Sequence, residues 1–198
     1  MARKIVAPER REQIVEALFE CLAEKGHETV TVKNIASQAN LHYGVIHYYF
    51  DSKDDIVSAL SELIISKYEQ LLLERIEPIQ SASEKLRVAI DFLVDEFIFN
   101  RRLNRVFYNL VQMAFERKTV REALRKQLRA YRNGIAQAIE EGIQDGEFAR
   151  HDTRRIASLI VALVEGMALQ WMIEPKALNR DDVLALITDT MGNYLDKA

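Results

Sequence analysis

TVKNIASQANLHYGVIHYYFDSK, residues 31–53, is the stretch that decides the fold. In its first half, apolar residues recur at helical spacing, which predicts a short helix with one buried face. Thr31 stands at the N-cap position of that helix, and Asn34 stands where the partner of a capping box falls. Asn40 follows, and asparagine tolerates the left-handed conformation that a sharp turn needs.

The second half predicts another short helix over residues 43–50. Ile46 and Phe50 lie at i and i+4, so they are expected to point inward. Of the other aromatic residues, we expect Tyr48 to be a core side chain and Tyr49 to reach the surface. Helices this short are held by packing against neighbours. Two short helices joined by a tight turn are typical of a helix-turn-helix, whose second helix enters the major groove of DNA.

Residues Thr31 to Lys53 resemble the DNA-binding signature of the TetR-type transcriptional repressors, and the resemblance covers about the first 60 residues. Three positions depart from the family pattern. The family usually has serine where His42 stands, tyrosine where His47 stands and glycine where Asn40 stands. The resemblance implies a DNA-binding head, a divergent C-terminal ligand domain and a homodimer bound to a double-stranded operator.

Eight residues are predicted to contact DNA. Thr31 suits a phosphate because the backbone N–H groups of a helix N-terminus are free to bind anions. The resemblance implies three further phosphate contacts, because the matching family positions contact the DNA backbone: His47, Tyr49 and Lys53. The leading turn of the second helix is where short or planar side chains meet base edges and thymine methyl groups, and it comprises His42, Tyr43, Gly44 and Val45.

The composition favours an all-α fold. The chain has 198 residues, of which 48% are hydrophobic and 29% charged, and only seven glycines and three prolines are present for turns. The net charge is −3, and residues 1–53 contain seven basic and seven acidic side chains, so DNA binding depends on where those charges lie. The single cysteine excludes an internal disulfide, and we predict neither a metal site nor a cofactor.

The remaining helices are predicted from their starts and stops. A helix of about 24 residues begins at Lys53 and spans roughly 36 Å, which makes it the mechanical link from the head. Capping boxes are expected at residues 81–84 and 119–122, and the helix begun by the first continues to Phe97. The chain is thereby divided into a three-helix head, 1–52, and a ligand-binding and dimerisation domain, 53–198, with about nine helices in all.

The two C-terminal helices are expected to form the homodimer interface. The run 159–164 is apolar on every side, and a helix that is hydrophobic all round has to be covered all round. No signal peptide is evident at the N-terminus, and no apolar run is expected to approach the roughly 18 residues that span a bilayer. The prediction is therefore a cytoplasmic protein without a membrane partner.

The same C-terminal domain is predicted to hold a small-molecule effector in an apolar cavity. Aromatic walls suit a cation through cation–π attraction, and they suit a hydrophobic molecule equally well. The residues expected to line the cavity are Phe92, Phe107, Tyr108, Gln112, Met167 and Trp171.

No catalytic motif is present: the sequence lacks GxGxxG, a Walker loop, GxSxG and HExxH, so the chain is not expected to be an enzyme. The function predicted is a sequence-specific transcriptional repressor released from its operator by a small hydrophobic or cationic effector. Two alternatives are an activator without effector-controlled release, and a helical ligand-binding or scaffold module whose head no longer binds DNA. His42 and His47 favour the second of these.

Overall fold

The computed structural model describes residues 7–195, and within that range every regular element is helical, which confirms the all-α prediction. A 3₁₀ turn at His27–Thr29 and a π-helical turn at Val94–Ile98 accompany the α-helices. The α-helices of the described range are α1 (Ala7–Glu24), α2 (Val32–Gln38), α3 (Tyr43–Tyr49), α4 (Lys53–Ile76), α5 (Ala82–Leu93), α6 (Arg101–Glu116), α7 (Lys118–Gln144), α8 (Thr153–Ile173) and α9 (Arg180–Leu195).

Side-chain caps define the starts of α4, which begins at Lys53 as the sequence predicts, and of α8. At α4, the Asp55 N–H donates to Ser52 Oγ at 3.1 Å, and the Ser52 N–H donates to Asp55 Oδ2 at 2.9 Å. At α8, the Asp152 carboxylate accepts from the backbone N–H of Arg155. These bonds satisfy N–H groups that a helix start leaves without an intrahelical partner.

Of the two capping boxes predicted downstream, the one at 119–122 was wrong and the one at 81–84 was wrong in part. α7 begins at Lys118, so Thr119 lies inside the helix and cannot cap it. At α5, Ser81 Oγ accepts from the Glu84 N–H at 3.3 Å, but the Glu84 carboxylate pairs with Arg87. The reciprocal bond of a capping box is therefore not made by Glu84.

Glu147, in the segment between α7 and α8, caps α5 instead. Its carboxylate accepts from the backbone N–H groups of Ala82 at 2.7 Å and Ser83 at 3.0 Å, and from the Ser81 hydroxyl at 2.6 Å. These three hydrogen bonds, first of all the one from Ser81, lower the pKa of Glu147 to about 2. A charged carboxylate at a helix N-terminus also suits the helix dipole.

The described residues pack into two compact units. The first contains residues up to Lys67 together with Arg105–Gln127, and the second contains Tyr68–Asn104 and the residues from Leu128 onward. The core of the first unit includes side chains from α1, α2, α3 and α4 that are less than 2% exposed: Ile14, Leu18, Leu22, Ile35, Ile46, Ile56 and Leu60. The predicted functional division at residue 52 remains a prediction.

The core of the second unit is built from α5, the π-helical turn, the end of α7, α8 and α9. The turn replaces the last part of the continuous helix that the sequence predicted up to Phe97. It is marked by an i to i−5 hydrogen bond from Phe99 N–H to Val94 O at 3.0 Å. Asn104, which is fully buried, donates its amide to Phe97 O at 2.8 Å and to Ile98 O at 3.0 Å, and so holds the turn's carbonyls.

α8 corrects the expectation about apolar runs. By length and composition alone it could cross a membrane, since its most apolar 18-residue window has a mean hydropathy of 1.9. Only 28% of that window is buried within the chain. Leu169 and Ile173, for example, are 45% and 77% exposed. The prediction that no run approaches a membrane-spanning length was therefore wrong.

Candidate nucleic-acid interface

The turn between α2 and α3 has the geometry that its residues predict. Thr31 and Asn34 form a complete capping box at the start of α2. Asn40 adopts φ 52°, the left-handed conformation. The Leu41 N–H then donates to Ala36 O at 2.8 Å, which closes the turn. The helix-turn-helix is thus built by local hydrogen bonds.

α1 holds both short helices in place. Gln13 donates its amide to Ala39 O, at the end of α2, at 2.6 Å. Arg11 donates to Tyr49 O, at the end of α3, and its guanidinium lies 4.1 Å from the centre of the Phe50 ring. Phe50 itself is only 4% exposed, as predicted. These contacts complete a three-helix head.

The surface of α3 is formed by residues at i, i+1, i+4 and i+5, which share one side of a helix. The four exposed residues on it are Tyr43, Gly44, His47 and Tyr48; we call this set the α3 face. The rings of Tyr43 and His47 pack edge to face with centroids 4.9 Å apart. Val45 and Tyr49, which the sequence also predicted as DNA contacts, are half-buried.

Tyr48 was wrongly predicted to be a core residue, because it is 82% exposed. Its position explains the difference: two residues after the buried Ile46, it lies about 200° further around the helix. The ring packs edge to face against Tyr49, with centroids 4.9 Å apart. The Tyr48 ring otherwise stands exposed to solvent.

His42 caps α3 through its imidazole, because Nδ1 accepts from the Gly44 N–H at 3.3 Å. This bond requires Nδ1 to be unprotonated, so the proton of a neutral ring lies on Nε2. His42 is exposed, as is Thr31 at the start of α2. The histidine in the usual serine position therefore keeps the capping function that serine has there.

Lys53 is more constrained than the sequence suggests. Its ammonium donates to His27 O at 3.0 Å and to Val30 O at 2.5 Å, and the side chain is half-buried. Burial lowers the pKa of Lys53, and the nearby Arg117 guanidinium lowers it further. An ammonium has three N–H donors, so one remains for another acceptor.

Two residues of α6 that were not predicted as part of this site join it to the head. Asn109 accepts from the His27 N–H at 2.7 Å and donates to Leu22 O at 3.0 Å. Arg105 donates to Glu24 O at 2.8 Å. The Asn109 amide is thus occupied by the end of α1 and the turn that follows.

The six predicted ligand residues are divided between the two units, and their role in ligand binding remains a prediction. Phe92, Met167 and Trp171 belong to the second unit, where Phe92 is 2% exposed and Trp171 packs edge to face on Phe99 at 5.3 Å. The other three belong to the first unit, where the rings of Phe107 and Tyr108 lie 5.5 Å apart and Gln112 is exposed: Phe107, Tyr108 and Gln112.

Two cavities lie elsewhere in the second unit. One, of about 270 Å³, is lined by α5 and α9 residues, including Arg87 and Leu184. The other, of about 420 Å³, is lined by residues such as Glu140 and His151. Neither is lined by any of the six predicted residues. Among residues 7–195, no group of three or more His, Cys, Asp or Glu side chains is arranged to hold a metal ion.

A helix-turn-helix head in a chain that is otherwise helical over its described length defines a class, the DNA-binding transcriptional regulators. Residues 14–60 match the family described as bacterial regulatory proteins, tetR family. Residues 82–196 match the family described as BetI-type transcriptional repressor, C-terminal. The chain therefore belongs to the TetR family of regulators, with a BetI-type C-terminal region.

Individual relatives agree with this assignment. The fatty acid metabolism regulator protein of Bacillus subtilis (strain 168) is 26% identical over 175 residues, which cover 88% of each chain. The structure of FadR from Bacillus subtilis in complex with stearoyl-CoA aligns with a TM-score of 0.78 and 26% identity over 89% of this chain and 97% of that one. A regulator from Saccharomonospora viridis in complex with choline aligns with a TM-score of 0.84 over 96% of this chain and all of that one; at 20% identity, it shows the fold alone.

Proposed function

We propose that this regulator is a repressor that binds its operator as a homodimer and is released by a small hydrophobic or cationic effector. The observation that carries the proposal is the α3 face: four exposed residues on a recognition helix buttressed by α1. Its aromatic, imidazole and glycine groups suit base edges, thymine methyl groups and phosphates. The BetI-type repressor match over residues 82–196 supports repression in preference to activation.

For the operator, we propose the eight contacts that the sequence predicts, and we add Tyr48. Thr31, His47, Tyr49 and Lys53 are assigned to phosphates. His42, Tyr43, Gly44 and Val45 are assigned to base edges. The exposed fraction of Tyr48, 82%, supports its inclusion, because an aromatic ring standing out of a recognition helix provides apolar area for a sugar or a thymine methyl group.

For the dimer, we propose an interface made by α8 and α9. Large apolar side chains stand exposed on both helices: Leu169 and Ile173 on α8, and Leu186 and Tyr194 on α9, each at least 45% exposed. Covering such a surface with a second copy removes apolar area from water. A partner chain would thus cover α8 without a membrane, which agrees with a cytoplasmic location.

The effector class rests on the relatives and on side chains of the predicted ligand-binding domain, residues 53–198, which we call the body. A relative with 26% identity binds stearoyl-CoA, and the fold is shared with a choline complex. In the second unit, Glu165 is half-buried on the apolar α8, and burial raises the pKa of its carboxyl group, although the nearby Arg132 opposes the shift. A hydrophobic tail or a cationic group would each find matching chemistry in this body.

Release from the operator requires that the effector change operator affinity. Two recognition helices have to meet major grooves about 34–36 Å apart, and an effector that prefers another packing of the body changes that spacing. The change in operator affinity cannot exceed the effector's differential affinity for the two states.

The test is a titration of operator DNA in the presence and absence of effector. Fluorescence of Trp171, the only tryptophan, reports binding of stearoyl-CoA or choline to the body. We expect a bound effector to weaken operator binding by a measurable factor. An effector that binds and leaves operator affinity unchanged would contradict release, and a head that prefers no DNA flanking its own gene would favour the scaffold alternative.

A further inference from the structure

The 3₁₀ turn at His27–Thr29 is held from two sides. The His27 N–H donates to Asn109 of α6, and the His27 carbonyl accepts from Lys53, the first residue of α4. Lys53 also donates to Val30 O, one residue before the Thr31 cap of α2. A single residue's backbone thus joins α6, α4 and the segment that starts the helix-turn-helix.

Asn109 has few alternatives to this arrangement. It is 8% exposed, and its two amide hydrogens are shared among Leu22 O at 3.0 Å, Lys25 O at 3.3 Å and Arg105 O at 2.9 Å, while its oxygen accepts from the His27 N–H. Removing the side chain takes a hydrogen-bond partner from the half-buried His27 N–H and from the buried Leu22 carbonyl, which is unfavourable.

The end of α1 is also bonded to α6. Arg105 adds a positive charge to that of the adjacent Lys25 by donating to Glu24 O, and Asn109 donates to the neighbouring carbonyls of Leu22 and Lys25. A cation at a helix C-terminus is stabilised by the helix dipole. The carbonyls that a helix end leaves unpaired are therefore satisfied by residues about 80 positions later in the chain.

We propose that Asn109 is a positioning residue for DNA binding, which acts through His27 to fix the turn that seats Lys53 and the N-terminus of α2. Asn109 does not itself touch DNA. Because Asn109 lies within the BetI-type region, residues 82–196, its hydrogen bonds connect that region directly to the three-helix head. A role of Asn109 in regulation rests on the proposed release by effector. The effect of Asn109 on operator affinity is independent of that release.

The experiment compares two buried asparagines of α6. Asn109→Leu removes the hydrogen bonds to the 3₁₀ turn and to the end of α1. The matched control, Asn104→Leu, removes a buried asparagine whose side chain donates to Phe97 O and Ile98 O of the π-helical turn. We expect Asn109→Leu to weaken operator binding roughly tenfold at equal folded fraction. We expect Asn104→Leu to leave it within about twofold of wild type, since the turn it holds is not part of the head.

Hydrogen exchange separates positioning from loss of stability. In Asn109→Leu, the His27 amide should exchange faster than in wild type while the core amides of α5 and α8 keep their protection. The slope of log operator affinity against log salt concentration should fall by less than the roughly 0.9 of one complete phosphate contact, because Lys53 and Thr31 are loosened and not removed.

A second pair covers the case in which Asn109→Leu does not fold. Arg105 is exposed, so Arg105→Met should fold, and we expect it to weaken operator binding about threefold by loosening the end of α1. Arg101→Met removes the same charge from the start of α6 and should have no such effect. Wild-type affinity in Asn109→Leu, or equal losses in either variant and its control, would overturn the proposal. Failure of the wild-type chain to bind any operator would instead overturn the proposed function.

Discussion

Replacing Lys53 by alanine tests whether this half-buried ammonium reaches DNA in addition to holding the turn. The side chain spends two of its three N–H donors on His27 O and Val30 O, at 3.0 and 2.5 Å. One donor and the positive charge remain for a phosphate. A lysine that neutralises one phosphate contributes about 0.9 to the slope of log affinity against log salt concentration.

The slope converts into a measurable ratio. When the salt concentration rises fourfold, from about 50 to about 200 mM, the ratio of the wild-type DNA affinity to that of Lys53→Ala should fall by a factor of about 3.5, which is four raised to the power 0.9. The loss should be the same on operator and on random DNA, because phosphate contacts carry no sequence information. Fluorescence anisotropy with labelled duplexes at four salt concentrations measures both effects.

Lys67→Ala is the control for this prediction. It removes the same charge from the same helix, about 21 Å further along α4, and should leave the slope unchanged. Equal slopes for wild type and Lys53→Ala would refute the phosphate contact and leave Lys53 solely as a tie between α4 and the turn. A reduced slope in both variants would mean that net charge, and not a particular contact, is being measured.

Three further predictions concern Tyr43 on the α3 face, two glycines of α7 and the Glu147 cap of α5. Tyr43→Ala should lower the preference for operator over random DNA about tenfold, as measured by competition binding; an equal loss on both DNAs would contradict a base contact. Gly142→Ala should lower the free energy of unfolding in urea by about 1–3 kcal/mol, because the added Cβ would lie 2.3 Å from the Phe148 ring. At the control position Gly134, an added Cβ meets nothing within 4 Å, so Gly134→Ala should raise the free energy of unfolding by about 0.5–1 kcal/mol. Glu147→Gln should make the free energy of unfolding less sensitive to acid. The folded-state pKa of Glu147, about 2, lies below the ordinary 4.5, so its carboxylate stabilises the fold above pH 4.5, and this stabilisation is lost as the pH falls towards 2. Acid unfolding curves of wild type and Glu147→Gln that run parallel over that range would contradict the capping role.

The sequence predicted well what is determined locally. The bounds of α4, the capping box of α2 and the left-handed Asn40 all depend on residues a few positions apart, whose side-chain chemistry is specific for those conformations. The family signature then supplied the function that these elements serve.

The sequence did not predict features that depend on distant partners. The bond between His27 and Asn109 joins residues 82 positions apart, and nothing near either residue indicates it. Glu147 caps α5 from 65 positions away, which replaces the local box expected at Glu84. The π-helical turn adds one residue to an apolar helical repeat and leaves no local composition signal.

Tyr48 was misjudged for a different reason. An aromatic run on a helix of only seven residues offers too few turns for a period to show which rings face inward. The inward direction is fixed by Ile46 and Phe50, and Tyr48 lies on the other side.

The central claim is that two copies of this chain present their heads side by side to one duplex. Sedimentation equilibrium of the purified protein, alone and with the DNA flanking its own gene, measures this most directly. We predict a dimer in solution and two chains per duplex in the complex. A monomer that remains a monomer when the DNA is added would contradict the claim.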